Sequence, residues 1–189
     1  RMDKAIEYLE ESLRISPNNA KGHYNLGGAL AAQGRVNEAA KHYQDAIKID
    51  PNFSEAHHNF GVALVAQGQL DEGIKHYQEA LRLDPSFSEA HHNLGVALAE
   101  QGRPSEAIEH LEKSLGISTN NAKVHYNLGG ILAAQGRVDE AITYYQEALK
   151  LNPDFSDARY NLDVILAEQG RVDEAIERLE DPQIHFNLG

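Results

Sequence analysis

Apolar and polar residues alternate along the chain with the spacing of amphipathic helices. Around the middle of the chain, ring-bearing, apolar or small residues recur at i, i+3, i+4 and i+7, namely His91, Leu94, Gly95 and Leu98. This spacing places the four residues on one face of a helix. A Gln-Gly pair ends the segment at Gly102, and a second amphipathic segment follows. The pattern therefore predicts a helix, a tight turn and a second helix.

This helix pair repeats with a period of 34 residues. Equivalent segments begin at His23, His57, His91, His125 and Arg159. With Ala20 as repeat position 1, the predicted full repeats cover 20–53, 54–87, 88–121 and 122–155, followed by a last repeat over 156–189. Residues 1–19 supply the second helix of a partial repeat, so residues 1–189 are predicted to form a single array. The last repeat is irregular after about residue 180, because Pro182 falls where a helix-forming alanine is expected.

Start and stop signals agree with this period. A glycine at repeat position 15 predicts a left-handed helix end, at Gly34, Gly68, Gly102, Gly136 and Gly170. Residues with strong N-cap preference follow three positions later and predict the caps of the second helices: Asp3, Asn37, Asp71, Ser105, Asp139 and Asp173. A proline then ends most second helices, at Pro17, Pro51, Pro85 and Pro153.

The period and its signature residues resemble the tetratricopeptide repeat (TPR) family. In the first full repeat the matching residues are Gly27, Gly34, Ala39, Tyr43, Ala46 and Pro51. The resemblance covers essentially the whole chain. It implies an all-α fold, a right-handed α-solenoid of stacked helix-turn-helix units whose first helices line a concave groove.

One face of the first helices carries a candidate peptide-binding site. Repeat position 6 is asparagine in every repeat: Asn25, Asn59, Asn93, Asn127 and Asn161. Rings precede it at Tyr24, His58, His92, Tyr126 and Tyr160, and Val62, Val96, Glu55 and Glu89 share the face. An asparagine amide both donates and accepts, so it can pair with the N–H and C=O of an extended backbone.

The expected spacing suits an extended chain. Adjacent first helices should lie about 10 Å apart, and an extended peptide advances about 3.3 Å per residue. One asparagine would then meet the ligand backbone about every third residue. The row resembles the asparagine ladder in the TPR superhelix of O-linked N-acetylglucosamine transferases. The predicted function is a protein–protein interaction scaffold that holds an extended peptide segment of a partner.

Simpler and competing interpretations of the same residues remain. Asparagine at this position also serves to satisfy local hydrogen bonds. A zinc ion between His58 and His92 with Glu55 or Glu89 is disfavoured, because the spacing lacks an HxxxH pair. The TPR carboxylate clamp is rejected: Lys21 and Lys123 could fill its position 2, but no repeat has lysine at position 5, asparagine at 9 or arginine at 6. The histidines at repeat position 4 are expected on the packing side, and His42, His76 and His110 in a seam within the stack.

Composition narrows the function classes. Seventeen basic against 29 acidic residues give a net charge of −12, which argues against nucleic-acid or membrane-surface partners. The chain has no cysteine and no GxSxG or phosphate-binding glycine motif, so we expect no enzyme, no metal and no cofactor. No apolar run approaches the roughly 18 residues of a membrane span. A cytoplasmic location is expected, and the start at Arg1 indicates a fragment.

Two alternative functions stay open. The array is a candidate for self-assembly into a homo-oligomer, head to tail or with its tail in a neighbour's groove, because repeat arrays expose apolar faces at uncapped ends. It is also a candidate for the accessory substrate-binding region of a larger enzyme such as a glycosyltransferase.

Overall fold

The computed structural model describes residues 2–170, and these residues form helices without any strand. They confirm the predicted all-α helical repeat fold. The ten helices of this part of the chain are α1 (Met2–Ile15), α2 (Ala20–Ala32), α3 (Val36–Ile49), α4 (Ser54–Ala66), α5 (Leu70–Leu83), α6 (Ser88–Glu100), α7 (Pro104–Ile117), α8 (Ala122–Ala134), α9 (Val138–Leu151) and α10 (Ser156–Glu168).

The chain divides into two compact units, Arg1–His110 and Leu111–Gly189. In the first, each helix from α1 to α5 packs against the next one along the chain. In the second, α9 packs against both α8 and α10. The organisation of residues 1–189 as a single array stays a prediction, and the irregular tail with Pro182 lies outside the described residues.

Glycine ends the first helices as predicted. The five glycines at repeat position 15 have φ between +70° and +78°, a left-handed conformation that costs glycine little. At the end of α2 the Gly34 N–H bonds the Ala31 carbonyl and the Arg35 N–H bonds the Leu30 carbonyl, at 2.9 and 3.0 Å. This pair of bonds is a Schellman motif, which satisfies carbonyls that the helix end would otherwise leave unpaired.

The predicted caps of the second helices lie two positions too far along the chain, and Asp173 lies outside the described residues. Helix α3 begins at Val36, so its N-cap is Arg35, which makes no side-chain capping bond, and Asn37 lies inside the first turn. The Asn37 side chain instead accepts a hydrogen bond from Gln67 of the next repeat at 2.9 Å. Asp3 and Asp71 accept from the equivalent glutamines, Gln33 and Gln101, at 2.7 and 2.6 Å. A contact between repeats therefore uses these side chains in place of local capping.

Close packing of the two helices in a repeat depends on a small residue at repeat position 8. A Cβ atom added to Gly27 would lie 2.7 Å from the Tyr43 ring, and one added to Gly61 would lie 2.8 Å from the Tyr77 ring. Leu26 and Leu30, on the same face of α2, are both only 1% exposed. This face is the predicted packing face.

Among residues 2–170, no helix has both the length and the apolar character needed to cross a membrane.

Candidate peptide-binding strip

Repeat positions 5 and 6 of the first helices carry side chains that range from buried, at His58, to exposed, at Tyr160. We call these residues the asparagine strip: Tyr24, Asn25, His58, Asn59, His92 and Asn93 in the first compact unit, and Tyr126, Asn127, Tyr160 and Asn161 in the second. Asn25 is exposed, and the other four asparagines are half-buried. The strip thus contains amide groups within reach of a ligand, held to different degrees by their neighbours.

The strip asparagines bond to the ring of the preceding repeat. Asn59 Nδ2 donates to the Tyr24 hydroxyl at 3.2 Å, and Asn161 Nδ2 donates to the Tyr126 hydroxyl at 3.3 Å. Both bonds join repeat position 6 to position 5 of the repeat before it. The local hydrogen bonding considered in the sequence analysis is therefore real, and it runs between repeats.

His58 extends this bonding into a continuous chain across three repeats. Its Nδ1 lies 3.1 Å from Asn59 Oδ1, and its Nε2 lies 2.9 Å from Asn93 Nδ2. An amide oxygen only accepts and an amide nitrogen only donates, so the network assigns the neutral Nδ1–H tautomer to His58. Tyr24, Asn59, His58 and Asn93 thus form a hydrogen-bonded relay in which each of the three bonds pairs one donor with one acceptor.

The sequence analysis missed three phenylalanines whose rings contact rings of the asparagine strip, namely Phe53, Phe87 and Phe155. Ring centroids lie 4.9 Å apart for Tyr24 and Phe53 and 4.7 Å apart for His58 and Phe87. In the second compact unit, Tyr126 and Phe155 repeat the contact at 4.9 Å. Each phenylalanine occupies repeat position 34, directly before a first helix. Its recurrence with the 34-residue period was the signal available in the sequence.

Burial and nearby carboxylates shift the pKa of two strip rings, His58 and Tyr24. His58 is only 6% exposed, and this burial lowers its pKa, while the Glu89 charge and the bond to Asn59 oppose the shift less strongly. The pKa of Tyr24 is raised by burial and further by the charges of Glu55 and Glu89. Both rings are therefore neutral near pH 7, and the strip is bordered by negative charge in α4 and α6.

The remaining predicted contacts differ in accessibility. Val62 is 41% exposed and Tyr160 is 69% exposed, whereas Val96 and His92 are half-buried. His58 is the buried member of the strip, and its ring contacts the rings of Phe87 and Tyr77, the latter at 5.8 Å between centroids. Its role is therefore to position the asparagines, more than to contact a ligand. Because both of its nitrogens are engaged, it has no free lone pair for the zinc ion weighed above.

The asparagine amides keep part of their hydrogen-bonding capacity. An amide group has two N–H donors and two acceptor lone pairs. The bonds to Tyr24 and His58 use one donor and one lone pair of Asn59. One donor and one lone pair remain, which is what a peptide unit needs for one N–H···O and one C=O···H contact.

The helix pairs, their glycine turns and their 34-residue period define a tetratricopeptide repeat protein. A family model described as the cilia and flagella-associated protein 70 C-terminal domain matches residues 1–184, and the chain belongs to that family. The comparison with curated protein sequences found no match.

Solved structures with the same fold cover nearly the whole chain. The crystal structure of YrrB, described as a TPR protein with an unusual peptide-binding site, is 21% identical over 96% of this chain and 97% of its own, with a TM-score of 0.76. PilF of Pseudomonas aeruginosa is 22% identical over 95% and 83%, with a TM-score of 0.80. MamA 41-end from Desulfovibrio magneticus RS-1 is 19% identical over 89% and 96%, with a TM-score of 0.77. None of these descriptions names a catalytic activity, and at these identities the likeness concerns the fold.

Proposed function

We propose that the chain is an interaction scaffold that binds an extended peptide segment of a partner protein along the asparagine strip. The observation that carries the proposal is the relay through Tyr24, Asn59, His58 and Asn93. It holds the amides of Asn59 and Asn93 in fixed orientation and leaves part of their hydrogen-bonding capacity unused. A pre-oriented amide loses little freedom when it binds, so more of each hydrogen bond contributes to affinity.

The charges around the strip favour one class of peptide. Glu55 and Glu89 are exposed and lie near enough to raise the pKa of Tyr24. Val62 adds an exposed apolar side chain on α4. A segment with a basic centre and small apolar flanks complements this surface, because opposite charges speed encounter and fix the register.

A selected peptide and matched asparagine variants test the proposal. Peptides are selected from a random display library on the 189-residue chain, and the affinity of an enriched peptide is measured by fluorescence anisotropy. One net hydrogen bond contributes about 0.5–1.5 kcal/mol, so Asn25→Ala should weaken binding by about 2- to 12-fold. Adding Asn59→Ala should weaken it further. Asn52→Ala, an exposed asparagine outside the strip, is the control and should bind like the parent. Equal affinity for all three variants would contradict the proposal.

Self-association is a second candidate, because α1 exposes large apolar side chains. Tyr8 is 76% exposed and Ile15 is 72% exposed. Light scattering over a concentration series should show association in the parent chain that the double variant Tyr8→Lys, Ile15→Lys loses. A monomer mass that does not change up to millimolar concentration would exclude this candidate.

The role as an accessory region of a larger enzyme, the cytoplasmic location and the lack of nucleic-acid and membrane partners stay predictions from the sequence.

A further inference from the structure

Histidine pairs connect the two helices within each of three repeats. The Nδ1 atoms of His23 and His42 lie 3.0 Å apart. The pairs His57–His76 and His91–His110 repeat this arrangement at 3.1 and 2.9 Å. The two members of a pair are 19 residues apart, on a first and a second helix, so no short sequence motif announces them.

The outer nitrogen of each first-helix histidine is fixed by the backbone. His23 Nε2 lies 3.0 Å from the Pro17 carbonyl oxygen, and a carbonyl oxygen only accepts, so Nε2 carries the proton. The Nδ1 atom of His23 therefore presents its lone pair to His42. A histidine that ligates a metal commonly donates its other N–H to a backbone carbonyl in this way, which sets both tautomer and ring orientation.

The carboxylate of Asp45 lies near the first histidine pair. Asp45 follows His42 by three residues on α3, which places both on the same side of that helix. One ligand atom from each of His23, His42 and Asp45 lies within 4.8 Å of the others, and all three residues are half-buried. We propose that His23, His42 and Asp45 form a binding site for a divalent transition-metal ion of the Zn²⁺ type.

To hold the ion, the site needs a small change in geometry, and His42 must move its proton from Nδ1, where it bonds His23, to Nε2. Zinc–nitrogen bonds of about 2.05 Å at a tetrahedral angle separate the two nitrogens by about 3.3 Å, against the 3.0 Å between His23 and His42. Asp45 must release Lys48 Nζ, which it contacts at 2.9 Å. That ion pair is exposed, and exposed pairs contribute little to stability.

Further carboxylates surround the site. Glu10 on α1 and Glu38 on α3 lie near enough to His42 to oppose the lowering of its pKa by burial and by His23. Arg35 already binds the Glu38 carboxylate through two bonds of 2.7 Å. Two imidazoles and one carboxylate suit zinc and the neighbouring first-row ions.

The other repeats lack one or more of these features. In the second repeat the carboxylate is Glu79, which Arg82 holds through two bonds of 2.8 and 2.7 Å. The Phe60 ring also covers His76, at 4.6 Å between centroids. The third repeat has Lys113 in place of the carboxylate, and the fourth has Tyr144 in place of the second histidine. The histidine pairs of the other repeats therefore serve as controls for the proposed site in the first repeat.

Zinc titration of the 189-residue chain tests the proposal. Isothermal calorimetry with Zn²⁺ at pH 7.5 should show one saturable site of highest affinity. Asp45→Asn and His42→Tyr should each weaken that site by at least about tenfold, the loss that removing even an outer partner of a ligand typically causes. His42→Tyr copies the residue of the fourth repeat, so the repeat tolerates it, and circular dichroism checks the fold. Lys48→Ala should strengthen binding.

His110→Tyr, in the pair beside Lys113, is the matched control and should leave the affinity unchanged. Zinc affinity should also fall on acidification, because the ion displaces protons from imidazole. Absence of a saturable site overturns the proposal. So does equal weakening by His42→Tyr and His110→Tyr, which would assign the ion to histidine pairs in general and not to the site with Asp45.

Discussion

Replacing Asn93 by alanine removes the hydrogen bond to the Nε2 atom of the buried His58. Asn93 Nδ2 donates to His58 Nε2 at 2.9 Å, and His58 is 6% exposed. Without this donor, the lone pair of His58 Nε2 has no partner. If the proton moved to Nε2 instead, the hydrogen bond from Nδ1 to Asn59 Oδ1 would be lost. Protonation gives no escape, because burial lowers the pKa of His58. The expected cost is that of one unsatisfied buried polar group, about 1–3 kcal/mol.

Urea denaturation followed by circular dichroism measures this cost. With a slope of about 2 kcal/mol per molar urea, a loss of about 2 kcal/mol lowers the midpoint by about 1 M. Asn25→Ala is the control, because Asn25 is exposed, and its effect should stay within about 0.5 kcal/mol. The double variant Asn93→Ala, His58→Phe should recover part of the loss, since it removes both polar partners. Equal midpoints for Asn93→Ala and Asn25→Ala would refute the relay.

Three further predictions concern packing and histidine. Gly61→Ala should destabilise the chain by about 1–3 kcal/mol in urea denaturation through overpacking, because the new Cβ would lie 2.8 Å from the tyrosine ring of α5; an unchanged midpoint contradicts this packing. Burial, and then the charge of the paired histidine, lowers the pKa of His42 and His76. The folded chain thus binds fewer protons than the unfolded one, and stability should fall as pH drops below about 6.5; a pH dependence that is unchanged in the double variant His42→Tyr, His76→Tyr would refute it. Tyr144→His should stabilise the second compact unit by about 1 kcal/mol, because the buried Nδ1 of His125 has no partner among the described residues and the new histidine would supply one. Thermal denaturation measures this gain, and an unchanged Tm would contradict the prediction.

The repeat architecture was readable from sequence because its signals are local and recur. The glycine at the end of α2 needs a left-handed φ, and no other residue supplies it as readily. The second-helix caps were misjudged for the opposite reason. Asn37 has the chemistry of an N-cap, but its oxygen bonds Gln67, which comes from the next repeat. Local propensity does not include such a partner.

The strip was only partly predictable. The asparagine row was visible, because one residue type recurs at one repeat position. The partner of each asparagine was not, because Asn59 and Tyr24 are 35 residues apart and meet only when repeats stack. His58 was expected on the surface from its helix position, whereas Phe87, at the end of the same repeat, and Asn93 of the next repeat cover it. Contacts between repeats thus decide what the helix face alone leaves open.

A backbone-methylation scan of the bound peptide tests the central claim most directly. Each peptide N–H is replaced in turn by N–CH₃, which removes one donor and leaves the side chains unchanged, and each Kd is measured against the 189-residue chain. The asparagines are spaced by about 10 Å, and an extended peptide advances about 3.3 Å per residue. If the asparagines bind the peptide backbone, methylation should therefore lower the affinity at about every third residue of the peptide. Asn25→Ala should remove one of these sensitive positions. Losses that follow peptide side chains, with no periodic response to methylation, would contradict the account.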